Sequence, residues 1–197
     1  NQFKWVPKAG ATELVKDVMQ PSVRFTRDEC LDLPPLMYET RQVPLTKEQG
    51  KAYKDMLTKL RIQAEEGDIT AVNEAVKMGK LVQIACGVVY ASDGTEVTVP
   101  ATHRIEETRS ICHSAQGKVI VFVPYVSSVN MVAKELSKDF TVEIIHGGVK
   151  KDERDRIFAA FQKAKDPKVL VAQPAAMSHG LTLTAASTIV WYSCITS

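Results

Sequence analysis

Four short apolar runs in the last third of the chain restrict its fold more than any other feature. Lys118-Val-Ile-Val-Phe-Val123, Thr141-Val-Glu-Ile-Ile145, Lys168-Val-Leu-Val-Ala172 and Thr188-Ile-Val-Trp-Tyr192 are rich in β-branched residues and almost free of polar ones. Such runs read as strands covered on both faces rather than as strands with one wet side. Segments of helical length separate the first from the second and the second from the third, as parallel strands require. The first crossover puts Val129, Val132, Ala133 and Leu136 on one stripe; the second does the same with Ile157, Phe158 and Phe161, leaving Lys, Asp, Glu and Arg outside. Both are expected to be amphipathic helices packed on a parallel α/β sheet. In open parallel sheets ligands collect at the carboxyl ends of the strands, which singles out Pro124-Tyr125, His146-Gly147-Gly148 and Gln173 to Gly180.

Composition narrows the remaining classes. A chain of 197 residues, 45% hydrophobic and 24% charged, is globular and long enough for one sizeable core plus an appendage. The four cysteines, Cys30, Cys86, Cys112 and Cys194, form no C-x-x-C pair, and no histidine completes a zinc spacing near them, so reduced intracellular thiols and no metal site are expected. No apolar run approaches the length that spans a bilayer, so no membrane partner is expected. The start, Asn1-Gln-Phe-Lys-Trp5, is neither a signal peptide nor an initiator, and the chain is expected to be a fragment. A formal charge of +2 argues neither for nor against nucleic acid.

Taken in order, residues 1–45 read as a crossing segment, with an amphipathic stretch at Ala11 to Met19, the paired prolines of Asp32-Leu-Pro-Pro35, and β-formers from Tyr38 to Val43 that predict a strand. Residues 46–116 read as a helical and hairpin appendage. Thr46-Lys-Glu-Gln49 fits a capping box and opens a helix bearing Tyr53, Met56, Leu57 and Leu60, which Gly67-Asp68 should end. A second helix runs from about Thr70 to Ala85 before Gly87 stops it. Val88-Val-Tyr90 and Val97-Thr-Val99 flank Asp93-Gly94, a hairpin whose turn is expected to use positive φ angles, and Ala101 to Ala115 reads as a helix. Residues 117–197 are the sheet core.

The series Asp32-Leu-Pro-Pro35, Leu45-Thr-Lys-Glu-Gln49 with Tyr53, Gly87-Val-Val-Tyr90, Lys118-Val-Ile-Val-Phe122, Gly147-Gly148 with Arg154 and Phe161, and Gly180-Leu-Thr-Leu-Thr-Ala-Ala186 resembles the second motor lobe of superfamily-two DNA translocases of the Swi/Snf helicase type. The likeness covers nearly the whole chain and is strongest in wording to phage and bacterial members. It rests on order and spacing, since each motif alone is weak. The resemblance implies a RecA-like C-terminal lobe, a parallel sheet flanked by helices. It implies an intact protein that uses ATP and Mg2+ on double-stranded DNA, partnered by an N-terminal RecA-like lobe of the same chain, in the cytoplasm of a bacterial or phage-infected cell.

By the same resemblance, Gly180 and His179 lie near the nucleotide, while Gly147, Gly148, Lys150, Lys151, Gln173 and Ser178 meet the phosphate backbone of DNA. Met177-Ser178-His179 departs from the Gly-Gly pair many relatives have there. The chain contains no G-x-x-x-x-G-K-[ST], and the family's arginine motif is expected beyond Tyr192, so these residues alone are expected to bind no nucleotide and to be catalytically silent.

Plainer readings stand beside these. Gly147-Gly148 after a strand reads as a turn needing positive φ. Lys150, Lys151, Arg154 and Arg156 tilt it toward phosphate, although charges on a crossover helix are usually just solvated and Arg154 reads equally as an anchor. A lone His179 reads as loop-ordering, Trp191 and Tyr192 as core or lobe-interface packing, and Cys194 as inert. Two other functions remain open at this point: a non-enzymatic α/β module binding nucleotide, protein or nucleic acid, and a sugar-nucleotide transferase domain.

Overall fold

The computed structural model describes residues 6–23, 25, 36–65, 71–91, 93–177 and 182–193. The chain divides into two compact units, residues 1–41 and 42–197. In the first, helix α1 (Ala11–Val18) carries an apolar stripe but buries no residue. The strand predicted over Tyr38 to Val43 does not form; the segment has no regular secondary structure and Tyr38 is exposed, because β-forming residues without a neighbouring edge to pair with gain nothing from the ladder.

The second unit begins with helix α2 (Lys47–Glu65) and helix α3 (Ala71–Cys86). The capping box is present in full: Gln49 N–H donates to Thr46 Oγ1 at 3.1 Å, and Thr46 N–H donates to Gln49 Oε1 at 3.1 Å. Both side chains reach further. Thr46 Oγ1 donates to Pro100 O, and Gln49 Nε2 donates to Ile84 O and Ala85 O, so one buried amide serves the start of α2 and the last carbonyls of α3. Gly87 then turns the chain at φ 90°, leading into β1 (Val88–Tyr90) and β2 (Glu96–Thr98).

The β1–β2 turn differs from expectation in one respect. Among the described residues of the turn only Gly94 takes a positive φ, 83°; Asp93 instead accepts Thr95 N–H and O–H at 2.9 and 2.7 Å. With Ala91 N–H donating to Thr95 O, the loop holds three residues, the length at which one left-handed residue closes a hairpin.

Helix α4 (Thr102–Ser114) delivers the chain to the sheet of β3 (Lys118–Phe122), β4 (Val142–Ile145), β5 (Val169–Ala172) and β6 (Ala186–Trp191). All pair in parallel, in the order β4-β5-β3-β6. Helix α5 (Val126–Leu136) and helix α6 (Lys151–Lys163) are the two crossovers. Alternation along the strands splits the core. Val119, Val121, Val169 and Val171 join Val129, Val132 and Leu136 of α5 and Cys112 of α4; Ile120, Leu170 and Ala172 join Ile157 and Phe161 of α6. The predicted apolar stripes of both crossovers are therefore the buried faces.

The amino edge of the sheet is tied shut. Lys168 Nζ donates to Ala115 O and Gly117 O at 2.8 and 2.6 Å, and Thr141 Oγ1 donates to Asp166 while accepting Lys168 N–H. Gly117 lies so close to β6 that a Cβ there would fall 2.6 Å from Ser187 Oγ, at the register shift between Lys118 and Val119. Tyr192 is buried as predicted, with its backbone carbonyl accepting from Arg104 at 2.8 Å. Trp191 is not core: the residue is 57% exposed, and its ring leans on Phe122 at a centroid distance of 4.7 Å.

Candidate functional site

The carboxyl edge is where the loops converge. Gln173 follows β5 directly; its N–H donates to Ile145 O at 2.8 Å and its side-chain Nε2 to Pro124 O at 3.2 Å. Val123 N–H donates to Ala172 O, and Tyr192 N–H to Phe122 O. One residue thus pins the exits of β3, β4 and β5 together. Gln173 was singled out for DNA, but in this structure its side-chain amide is engaged with the Pro124 loop.

The turn after β4 has an open shape. Neither Gly147 nor Gly148 adopts positive φ, so the reading of the pair as a left-handed turn is set aside. A Cβ on Gly147 would meet no atom within 4 Å, whereas one on Gly148 would press on the His146 ring at 3.0 Å. That ring orders the turn: His146 Nδ1 accepts Gly148 N–H at 3.1 Å, and Val149 N–H returns to His146 O at 3.0 Å. Both glycines are exposed.

Four basic residues follow, and they separate into two kinds. Arg154 is partly buried and donates to Val149 O at 3.2 Å, anchoring the turn to α6. Arg156 is fixed by Glu153 at 2.7 Å and Glu143 at 3.0 Å. Its hydrogen bonds to Glu153, then to Glu143, raise its already high pKa, and the same bond holds Glu153 below the ordinary carboxylate value. Lys150 and Lys151, at the start of α6, are exposed and no hydrogen bond or ion pair holds either side chain among the described residues. The free positive charge beside the glycines is therefore two lysines.

Beyond Gln173 the chain makes a short 3-10 turn, Pro174–Met177. Ser178, His179 and Gly180 lie outside the described residues. Among the described residues no three His, Cys, Asp or Glu side chains gather as a metal site would require.

The β3–α5 loop carries a network that sequence reasoning missed. Tyr125 O–H donates to Gly79 O of α3 at 3.2 Å, and burial raises its pKa. Ser127 Oγ lies 2.8 Å from Tyr90 Oη and donates to the Glu96 carboxylate. The β1–β2 hairpin and α3 thereby hold the amino end of α5. These partners are 31 to 46 residues apart, and no local pattern announces such pairings.

Sheet order, right-sized crossovers and an open carboxyl edge define the class: a RecA-like α/β lobe. Comparison with known proteins narrows it. Residues 103–197 match the helicase conserved C-terminal domain. The C-terminal domain of the Sulfolobus solfataricus SWI2/SNF2 ATPase superposes with a TM-score of 0.63 at 24% identity, over 76% of this chain and 68% of that one. The core of the same ATPase, solved in complex with double-stranded DNA, gives 0.66 at 22% over 92% of this chain and 41% of that one. At these identities the structural likeness is one of fold.

Two curated relatives add sequence support. A putative ATP-dependent helicase/translocase, YwqA of Bacillus subtilis (strain 168), is 26% identical over 86% of this chain and 19% of its own length. Putative protein p41 of Acyrthosiphon pisum secondary endosymbiont phage 1 is 27% identical over 77% of this chain and 31% of its own length. The chain thus spans under a third of the curated relatives it matches. Residues 103–197 thus match a helicase C-terminal domain in sequence, and the chain shares the fold of the SWI2/SNF2 ATPase C-terminal domain.

Proposed function

We propose that the protein containing this lobe is an ATP-driven translocase on double-stranded DNA, in which the lobe supplies one wall of the nucleotide cleft and contacts to DNA phosphates. The observation that carries the reading is the turn after β4. Its two glycines are demanded neither by positive φ nor, at Gly147, by packing, and they stand beside two unpaired lysines on the sheet edge where ligands of such folds bind. Small residues that the protein itself does not require leave backbone amides open to an outside acceptor, and ammonium groups suit phosphate oxygens. Contacts of this kind read no bases, which fits a motor that must follow any sequence.

ATP and Mg2+ belong to the same proposal. The described residues contain no phosphate cradle of their own, and Gly180 with His179 are the nucleotide-facing candidates by resemblance alone. An N-terminal RecA-like lobe of the same chain would bring the phosphate loop. The buried Cys112, which forms no disulfide, and the bacterial and phage relatives support a cytoplasmic setting.

The test is ATP hydrolysis by the full protein with and without duplex, beside the 197 residues alone. We expect duplex-stimulated turnover from the full protein and none from the lobe. Replacing Gly180 by a bulky residue in the full protein should slow it. Turnover indifferent to duplex, or sustained turnover by the lobe alone, overturns the reading.

A further inference from the structure

The outward face of α2 is a strongly charged surface that the proposed nucleotide and sheet-edge contacts leave unused. Lys47, Lys51 and Lys54 recur at intervals of four and three, so with 100° per residue they fall within about 60° of one another. Thr58 continues the row. The opposite face holds buried Gln49 and the groove-lining Ala52 and Met56, so the row points away from the body of the lobe. All three lysines are exposed, and no hydrogen bond or ion pair holds their ammonium groups.

Helix surfaces that are merely solvated usually close opposite charges at i,i+3 and i,i+4 into supporting pairs; here Lys47–Lys51 and Lys51–Lys54 are like-charged and oppose the helix, and the acids spaced to pair with Lys51, Glu48 and Asp55, form no ion pair with it. The exposed acids Glu48 and Asp55 sit to one side, about 80 to 100° from Lys47, and neither closes a pair with the row. Lys47 also stands in the first turn, at the positive end of the helix dipole, where a cation is disfavoured. The helix keeps this arrangement on a rigid base. Its first turn is held by the Thr46–Gln49 capping box and by the bonds from those side chains to Pro100, Ile84 and Ala85.

We propose that this lysine row is a second phosphate-backbone contact for duplex nucleic acid, separate from the carboxyl edge of the sheet; the inference rests on the reading of the protein as a duplex-binding motor. Charge complementarity selects the partner. Seven residues of helix advance about 10 Å, which matches three steps of about 3.4 Å along one strand, so three ammonium groups can reach three of the four phosphates in that span. A polyanion with regular spacing relieves the mutual repulsion of the row. The contact is sequence-independent, and its strength falls with salt as counterions are released.

The experiment measures binding of the full protein to two unrelated duplexes by fluorescence anisotropy across a salt series. It compares wild type, a Lys47→Gln/Lys51→Gln/Lys54→Gln variant, the corresponding triple Arg variant, and Lys150→Ala/Lys151→Ala. We expect the Gln triple to weaken both duplexes equally and to reduce the log–log salt slope by about two to three, while the Arg triple retains it. Thermal melting followed by circular dichroism checks that the helix survives; should the triple misfold, Lys54→Gln alone should lower the slope by about one. A wild-type slope in a folded Gln variant overturns the proposal. Loss of polyglutamate binding with duplex binding intact does the same and reassigns the row to an acidic protein segment. Wild type that fails to bind duplex sinks both this proposal and the motor reading. Loss in the Gln triple with no effect at Lys150 and Lys151 spares the row and removes only the sheet-edge contact.

Discussion

Replacement of Gly87 by alanine tests whether the junction between appendage and sheet is set by backbone conformation or by crowding. Gly87 sits at φ 90°, where an L-residue pays about 1 to 2 kcal/mol. A Cβ there would also lie 2.9 Å from Ala101 Cβ, 3.0 Å from Met131 Cε and 3.1 Å from Val99 O. Met131 can swing aside, but Ala101 has no rotamer to change, and the Val99 carbonyl is backbone whose own N–H is bonded to Gly87 O at 2.9 Å. Overpacking of this kind costs about 1 to 3 kcal/mol, giving a total loss of roughly 2 to 5 kcal/mol. Two controls separate the causes. Gly94→Ala meets the same positive φ with nothing within 4 Å, so it should lose only about 1 to 2 kcal/mol. Gly50→Ala lies inside α2 with open space around it and should gain about 0.5 to 1 kcal/mol. Guanidinium unfolding curves of the three variants measure the differences. Equal losses at Gly87 and Gly94 would refute the crowding argument, and a loss at Gly50 would refute the account of its surroundings.

Further outcomes follow from other contacts. Gln49→Ala removes the reciprocal cap and strands two carbonyls at the end of α3, so it should cost about 2 to 4 kcal/mol by denaturant unfolding, more than an ordinary cap deletion. Lys150→Ala with Lys151→Ala should weaken duplex binding of the full protein equally on unrelated sequences and lower the salt slope by one to two, whereas Arg156→Ala should leave the slope unchanged because Glu143 and Glu153 already neutralise it. Burial raises the Cys112 thiol from 9.0 to about 11. Because the folded value is the higher one, its contribution to stability is complete below about pH 9 and is lost as pH rises through about 11; unfolding midpoints of wild type and Cys112→Ala should diverge in dependence on pH only in that window. The same thiol should resist alkylation at pH 8 until the protein unfolds, as mass spectrometry of labelled peptides would show.

How legible the fold was depended on how local its causes are. The strands and crossovers of the sheet were readable because a doubly covered strand is apolar at every position and its partner helix must turn one stripe inward. The capping box was readable because its two residues are three apart and their bonds are mutual. The strand predicted from Tyr38 to Val43 failed because β-propensity describes fitness for a pleated neighbour and cannot supply one. Of the two expectations for Trp191, core or lobe-interface packing, the structure sets aside the core. Along β6 successive residues alternate between faces, so Tyr192 enters the core on the α5 face while Trp191 shares the α6 face with Phe122 and, on the edge strand of the sheet, stays exposed.

The candidate site was legible in position and only partly in role. Sheet topology placed the loops at the carboxyl edge, and the chain did bring Pro124, Ile145 and Gln173 together there. What each side chain does was decided by partners that sequence spacing leaves open. Of four basic residues within seven positions, Glu143 and Glu153 claim Arg156, a backbone carbonyl claims Arg154, and only Lys150 and Lys151 remain free. The same logic reverses the reading of the glycines. A glycine that neither turns left-handed nor relieves a clash answers to nothing described within the protein, and at Gly147 that condition is met. Function at this edge is therefore inferred from what the fold leaves unsatisfied: the open amide of Gly147 and the unpaired ammonium groups of Lys150 and Lys151, set on an edge that Gln173 holds together.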